Sequence, residues 1–272
     1  MRRASLLAVV GAVLVVVFAG VAFAAVIQCD GAGDRDPDPG QCAGTNNPDQ
    51  ITGTAGADQI LALGGNDGVP GEDLTGVEAR GGDDVLDGGP GNDALVGETG
   101  NDTYFGNRGT DFLSDGGDAF DGVLSPNVSD DHMEGGANTD FIEGDAGNDT
   151  LLGKAGDDRN FPLPGAGVVA MFGDEGNDTL NGGDGNDAME GEEGLDVHRG
   201  NAGNDFIDAA DQDTGEVDVV DCGSGFDTAV VLPNDDVRNN CEDVVPPTVA
   251  ASGTTDEEQQ RLREAFLAGR GG

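Results

Sequence analysis

A nine-residue phase runs through most of the chain. Its cleanest copy is Gly88-Gly89-Pro90-Gly91-Asn92-Asp93-Ala94-Leu95-Val96. Each place in the unit has a separate physical job. The glycines open backbone conformations closed to other residues. The sixth-position aspartate supplies a hard anionic oxygen. The eighth position is apolar and is the one place that can build a core. A repeat at this period decides the fold before any other feature does.

Copies run from Gly53 to Val230. Their sixth positions are Asp58, Asp67, Asp84, Asp93, Asp102, Asp111, Asp121, Asp131, Asp140, Asp149, Asp158, Asp178, Asp187, Asp196, Asp205, Asp218 and Asp227. The fourth position is Gly in most copies, with Ala119, Ser129, Asn138 and Glu216 as departures. The eighth position carries Ile60, Val69, Leu86, Leu95, Leu113, Val123, Met133, Ile142, Leu151, Leu180, Met189, Ile207 and Val220. Tyr104 and Ala229 are tolerable there, while Asn160 and His198 break the rule. The frame slips before Ala79, at Asp115 and at Ser125. Longer interruptions fall at Pro162 to Phe172 and Ala209 to Gln212. Ala79 to Ser114 and Gly173 to Asp208 are regular, and Gly116 to Ser129 is the weakest stretch.

One apolar residue in nine is too sparse for an amphipathic helix, which needs three or four in two turns. It suits a three-residue strand with a single inward side chain, because side chains alternate between faces.

These residues resemble the hemolysin-type, or repeats-in-toxin (RTX), calcium-binding nonapeptide family over about two-thirds of the chain. The resemblance implies an all-β fold, a parallel β-roll in which six residues turn, three form a strand, and two units make a coil; about eight or nine coils stacked at about 4.8 Å then give a roll about 40 Å long. It further implies Ca²⁺ between turns stacked on the same side. The implied carboxylate ligands are Asp58, Asp67, Asp84, Asp93, Asp102, Asp111, Asp140, Asp149, Asp158, Asp178, Asp187, Asp196, Asp205, Asp218 and Asp227. Turn carbonyls of first- and third-position residues complete the implied shell, at Gly88, Pro90, Gly97, Thr99, Gly182 and Asp184. Asp121 and Asp131 lie in and next to the weakest stretch and stay outside that set.

Composition points to metal-coupled folding. The formal charge is −42, with 49 glycines, no Trp and one Tyr. Self-repulsion and glycine entropy both oppose compaction of the metal-free chain. A site held at ten times its dissociation constant adds about 1.4 kcal/mol. Ten such sites add about 14 kcal/mol, the net stability of a whole ordinary domain. Binding of Ca²⁺ is therefore expected to be the folding reaction. The scarcity of Lys and Arg disfavours nucleic acid as a partner.

The start, Met1-Arg2-Arg3, is basic, and Leu6 to Ala24 is an apolar run ending in Ala22-Phe23-Ala24. That pattern predicts a signal peptide over 1–24, cleaved before Ala25. The run is also long enough to span a bilayer, so an uncleaved anchor is the alternative. Once the signal is removed, no stable membrane insertion is expected. The expected location is extracellular. Four cysteines in an exported chain suggest disulfides, and spacing pairs Cys29 with Cys42 and Cys222 with Cys241, one pair at each end of the array. The expected organisation is a cap over 25–52, the roll over 53–230, a second cap over 231–245, and a tail over 246–272. In the tail, Thr255 and Glu258 form a capping box for a short C-terminal helix ending at Gly269.

Catalysis is not expected. His132 and His198 are the only histidines and sit in separate units. Neither a zinc-protease motif nor a nucleophile elbow is present. Asp34 to Gly40 imitates an EF-hand start but places its glycine one residue late. The Pro162 to Phe172 insertion reads as a degenerate coil or packed excursion. The expected function is that of a secreted calcium-binding repeat protein that folds after export. The alternatives are an adhesin or matrix protein that uses the roll as a spacer toward a cell-wall or surface partner, and then an RTX-type toxin or hydrolase.

Overall fold

The computed structural model describes residues 17–18, 21–22, 25–28, 41–46, 49–53, 58–65, 67, 77–115, 129–158, 171–210 and 216–246. Successive strands alternate between two parallel sheets. The first sheet has ten strands, running from Gln41–Thr45 at one edge to Asp236–Val237 at the other. The second has eleven, from Ala25–Gln28 to Asp243–Val245. Every pairing within these two sheets is parallel, as between Thr103–Arg108 and His132–Ala137, where Tyr104 faces Met133. This is the parallel β-roll that the family resemblance implies, built from the short strands that the nine-residue phase predicts. Val17–Phe18 and Val21–Ala22 form a separate antiparallel pair.

The stack is longer than the repeats require. The strands Ala25–Gln28, Gln41–Thr45 and Asp49–Thr52 extend it before the array, and Asp236–Val237 and Asp243–Val245 extend it after. These end strands carry no nonapeptide motif, so counting motifs alone gave eight or nine coils. The predicted helix over 255–269 and most of the predicted signal peptide lie outside the described residues.

Eighth-position side chains point between the sheets and stack coil on coil. Ile60, Leu86, Tyr104, Met133, Leu151, Leu180 and Val220 line the first sheet, facing Leu95, Leu113, Ile142, Met189, Ile207 and Ala229 from the second. Met171 fills the place between Ile142 and Met189, so the end of the Pro162 to Phe172 insertion supplies a proper core residue. The rest of that insertion falls outside the described residues. His198 occupies a core position, paired in register with Leu180 and Val220 and fully buried. Burial pushes its pKa down to about 4, which keeps the ring neutral.

The two sheets differ on their outer faces. Strands of the first sheet alternate, as in Thr150–Ala155, whose seventh- and ninth-position residues are half-exposed. In the second sheet Phe112–Ser114, Phe141–Glu143 and Ala188–Glu190 are buried on both faces. Phe112 stacks on Phe141 at 5.2 Å, and Phe141 meets Phe172 at 5.7 Å. One buried apolar position per unit therefore holds for the first sheet, where Val85, Phe105 and Leu152 stay half-buried, and understates the second. There the seventh and ninth positions also carry Ala, Phe and Val.

The turns explain the glycines. Residues in the second position take positive φ whether or not they are glycine, as at Glu98 (φ 70), Asn107 (φ 75) and Gly183 (φ 111). The fourth position is stricter. At Gly203 φ is 153, and an added Cβ would collide with the carbonyl of Gly185 one coil away. Asn138 is the one described non-glycine with positive φ in that position, and Asn tolerates the left-handed region better than most residues.

Candidate metal centre: two files of aspartates

Each turn delivers its sixth-position aspartate to the inside edge of the roll. Because turns on one side stack, these aspartates form two continuous files. In the first, the backbone N–H of each Asp donates to Oδ1 of the next: Asp58 to Asp84, Asp84 to Asp102, Asp102 to Asp131, Asp131 to Asp149, Asp149 to Asp178, Asp178 to Asp196 and Asp196 to Asp218. In the second the chain of bonds runs Asp67, Asp93, Asp111, Asp140, Asp158, Asp187, Asp205 and Asp227. The distances fall between 2.5 and 2.9 Å. Every one of these residues is buried.

Two residues outside the repeats finish the files. The N–H of Asp218 donates to Oδ1 of Asp235 at 3.3 Å, and the N–H of Asp227 donates to Oε2 of Glu242 at 3.0 Å. The segment carrying them is anchored by the Cys222–Cys241 disulfide and by the Arg238–Asp221 ion pair at 2.7 Å. The predicted Cys222–Cys241 pairing is thus present. Cys42 is disulfide-bonded as well, while Cys29 lies outside the described residues.

Each inter-turn bond engages one carboxylate oxygen, Oδ1. Oδ2 of Asp84, Asp102, Asp149, Asp158, Asp178 and Asp227 is buried and accepts no hydrogen bond. In the turns of Asp102, Asp149, Asp158 and Asp178 it points at the first-position glycine. A Cβ at Gly144 would come within 2.6 Å of Asp149 Oδ2, and one at Gly88 within 2.7 Å of Asp93 Oδ2. In these turns the first glycine keeps space clear around the carboxylate, independently of φ.

Such burial is costly for an anion. Desolvation raises the pKa of Asp84 to about 6, of Asp158 and Asp178 to about 7, of Asp102 to about 8 and of Asp149 to about 9. The inter-turn N–H bonds work against this rise, and neighbouring aspartates add to it. Buried carboxylates with an unsatisfied oxygen fit a divalent cation, which lowers the same pKa values by direct attraction. A hard, oxygen-binding ion such as Ca²⁺ matches this donor set, since only carboxylates and carbonyls are offered. Two tighter groups stand out, Asp102–Asp115–Asp131 and Glu143–Asp145–Asp174. In each, one oxygen per residue lies within 4.8 Å of the others.

The pattern describing RTX calcium-binding nonapeptide repeats matches residues 43–69, 78–113, 127–159, 171–197 and 193–213. The chain belongs to this RTX family. No curated protein matches it. The family's repeats bind Ca²⁺, and in this RTX chain the matched segments contain most of both aspartate files.

All fifteen aspartates singled out in the sequence stand in these files. Asp131, left out of that set, stands in the first file as well, between Asp102 and Asp149. Its signal was the apolar Met133 two residues on, which keeps the phase after the weak stretch. Asp121 lies outside the described residues. The third-position carbonyls of Pro90, Thr99 and Asp184 accept N–H bonds from Gly65, Gly82 and Gly156 of the preceding coil. Each carbonyl keeps a second lone pair. Gly88, Gly97 and Gly182 occupy the buried first position.

A further pattern lay in the fifth position. Asn and Asp side chains there form outer ladders, for instance Asn148 Oδ1 accepting from Asn177 N–H at 3.2 Å and Asn177 Oδ1 from Leu195 N–H at 3.1 Å. The recurrent Asn-Asp pairs that imitate glycosylation sequons are explained by this stacking. Among the described residues no helix is long and apolar enough to cross a membrane.

Proposed function

We propose that this chain is a secreted calcium-binding β-roll whose folding is coupled to Ca²⁺ after export. The observation that carries the reading is the pair of buried carboxylate files, in which Oδ2 of Asp84, Asp102, Asp149, Asp158, Asp178 and Asp227 is left uncompensated. Sixth-position aspartates from Asp58 to Asp227 would hold the ions, with turn carbonyls such as those of Pro90, Thr99 and Asp184 beside them. The ion supplies positive charge between stacked turns. The protein's own residues do the rest. Oδ1 holds the neighbouring turn by its N–H, the first-position glycine leaves room for Oδ2, and the eighth-position side chains close the core.

Weak extracellular-type sites fill at about millimolar Ca²⁺ and stay empty at the far lower cytosolic level. The chain would then remain extended before export and wind up after it. Retained carboxylate repulsion is the brake and Ca²⁺ its release. This reading assigns no catalysis to the chain, because repeat position accounts for its carboxylates. Two measurements test it. N-terminal sequencing of the exported chain should begin at Ala25. The hydrodynamic radius should fall sharply between sub-micromolar and millimolar Ca²⁺. A full-length N-terminus on released protein, or an unchanged radius, contradicts the proposal.

A further inference from the structure

The turn that starts at Asp115 departs from every other described turn in the array. Its first position carries an aspartate where most described repeats put glycine and the other described ones put a small uncharged residue, as at Ala62, Ala79 and Cys222. Elsewhere a Cβ at that place crowds the turn's own Asp Oδ2, as at Gly144 and Gly173. Here a whole carboxylate is inserted into the space. Asp115 thereby joins Asp102 and Asp131, successive members of the first file, with one oxygen of each within 4.8 Å of the others. All three are buried. The Ser129 hydroxyl lies 3.1 Å from Asp115 Oδ2 and 3.2 Å from Asp131 Oδ2, and its one proton can serve only one of them at a time.

A second observation points into the same space. Tyr104 is the one phenol in its column of core residues, between Leu86 and Met133. It is fully buried, and its hydroxyl has no hydrogen-bond partner. Buried tyrosine hydroxyls ordinarily find one. An added Cβ at Gly97 would collide with both this hydroxyl and Asp102 Oδ2, so the two orphaned oxygens converge on one spot.

We infer that Asp102, Asp115 and Asp131, with the hydroxyls of Tyr104 and Ser129, form a distinct divalent-cation site that fills before the ordinary repeat sites. It rests on the calcium reading above but differs in its donors, having a third carboxylate and a phenol. Affinity of oxygen-ligand sites rises with the number of charged ligands. A tightly held ion here would tie together the stacked turns of Asp102 and Asp131.

The test uses Tb³⁺ as the probe, because Tyr104 is the only Tyr in a chain without Trp. Tyrosine-sensitised Tb³⁺ emission from the full chain weights this site most heavily, because transfer falls steeply with distance from Tyr104. The expected emission saturates at a Tb³⁺ concentration about tenfold below that of the far-ultraviolet circular dichroism change, and Ca²⁺ displaces it. Asp115→Asn should weaken the emission titration about tenfold while the dichroism midpoint holds. Asp115→Gly, which restores the residue of the repeat, should do the same and guards against misfolding of the first variant. Asp93→Asn, in the other file, should leave emission alone. Emission that tracks the bulk transition, or is unmoved in both Asp115 variants, overturns the site while leaving the calcium reading intact. A dichroism signal indifferent to metal sinks both.

Discussion

Asp178 separates the two jobs given to each file member. Its Oδ1 accepts from the Asp149 N–H at 2.7 Å, and its Oδ2 has no partner. Asp178→Asn keeps an acceptor for that N–H and removes the charge. Asp178→Ala removes both. The loss of one site held at ten times its dissociation constant is worth about 1.4 kcal/mol. Leaving the buried Asp149 N–H without an acceptor costs a further 1–3 kcal/mol, roughly. Urea unfolding at fixed Ca²⁺, followed by circular dichroism, should therefore rank wild type above Asp178→Asn and Asp178→Ala lowest, with gaps of about those sizes. In chelator at pH 8 Asp178→Asn should be no less structured than wild type, since burial opposes the charge it deletes. Equal losses in the two variants with Ca²⁺ would refute the division of labour between Oδ1 and Oδ2. So would a loss for Asp178→Asn that is as large in chelator as in Ca²⁺.

Acid should partly replace the metal. Burial raises the file carboxyls from 3.8 to about 6 for Asp84 and up to about 9 for Asp149. The folded metal-free chain thus binds more protons than the unfolded one between about pH 4 and pH 9, so its stability is greatest below that window and falls as pH rises through it. Chelated protein should gain β signal near pH 4, and Ca²⁺ addition near pH 7 should release protons measurable in weak buffer. Gly185→Ala, at φ 146 and against the Gly156 carbonyl, should cost more than the 1–3 kcal/mol (roughly) of backbone strain alone and lower the unfolding midpoint accordingly. Glu242→Ala should cost about 1 kcal/mol by freeing the Asp227 N–H, with Glu242→Gln near wild type in urea titrations. Reducing Cys222–Cys241, 19 residues apart, should lower stability by about 3 kcal/mol in the same assay.

The sequence made the roll legible because one residue type at each place does one thing. Asp93 and Leu95 could be assigned from their phase alone, and both stand where it puts them. The parts that were not legible depend on contacts between coils, which a one-dimensional phase does not contain. Asp235 and Glu242 join the files from segments without any glycine pattern, because only the position of a carboxylate oxygen matters there. Asp115 read as a frame slip, since a single added residue carries no sign of which turn interior it enters. Asp131 was counted as a sixth-position residue yet left out of the ligand set. The chain before it loses its glycines, while the stacking that restores its register is with Asp102, 29 residues away. Ala25–Gln28 and Gln41–Thr45 joined the sheets by ordinary strand pairing, which leaves no nine-residue trace.

The most direct measurement is a Ca²⁺ titration of chelated protein at neutral pH and ordinary salt, with far-ultraviolet dichroism and metal stoichiometry read together. The account predicts an unstructured spectrum at the start and a cooperative rise in β signal as several ions bind per chain. A full β spectrum in chelator, or one that develops without bound metal, would contradict it.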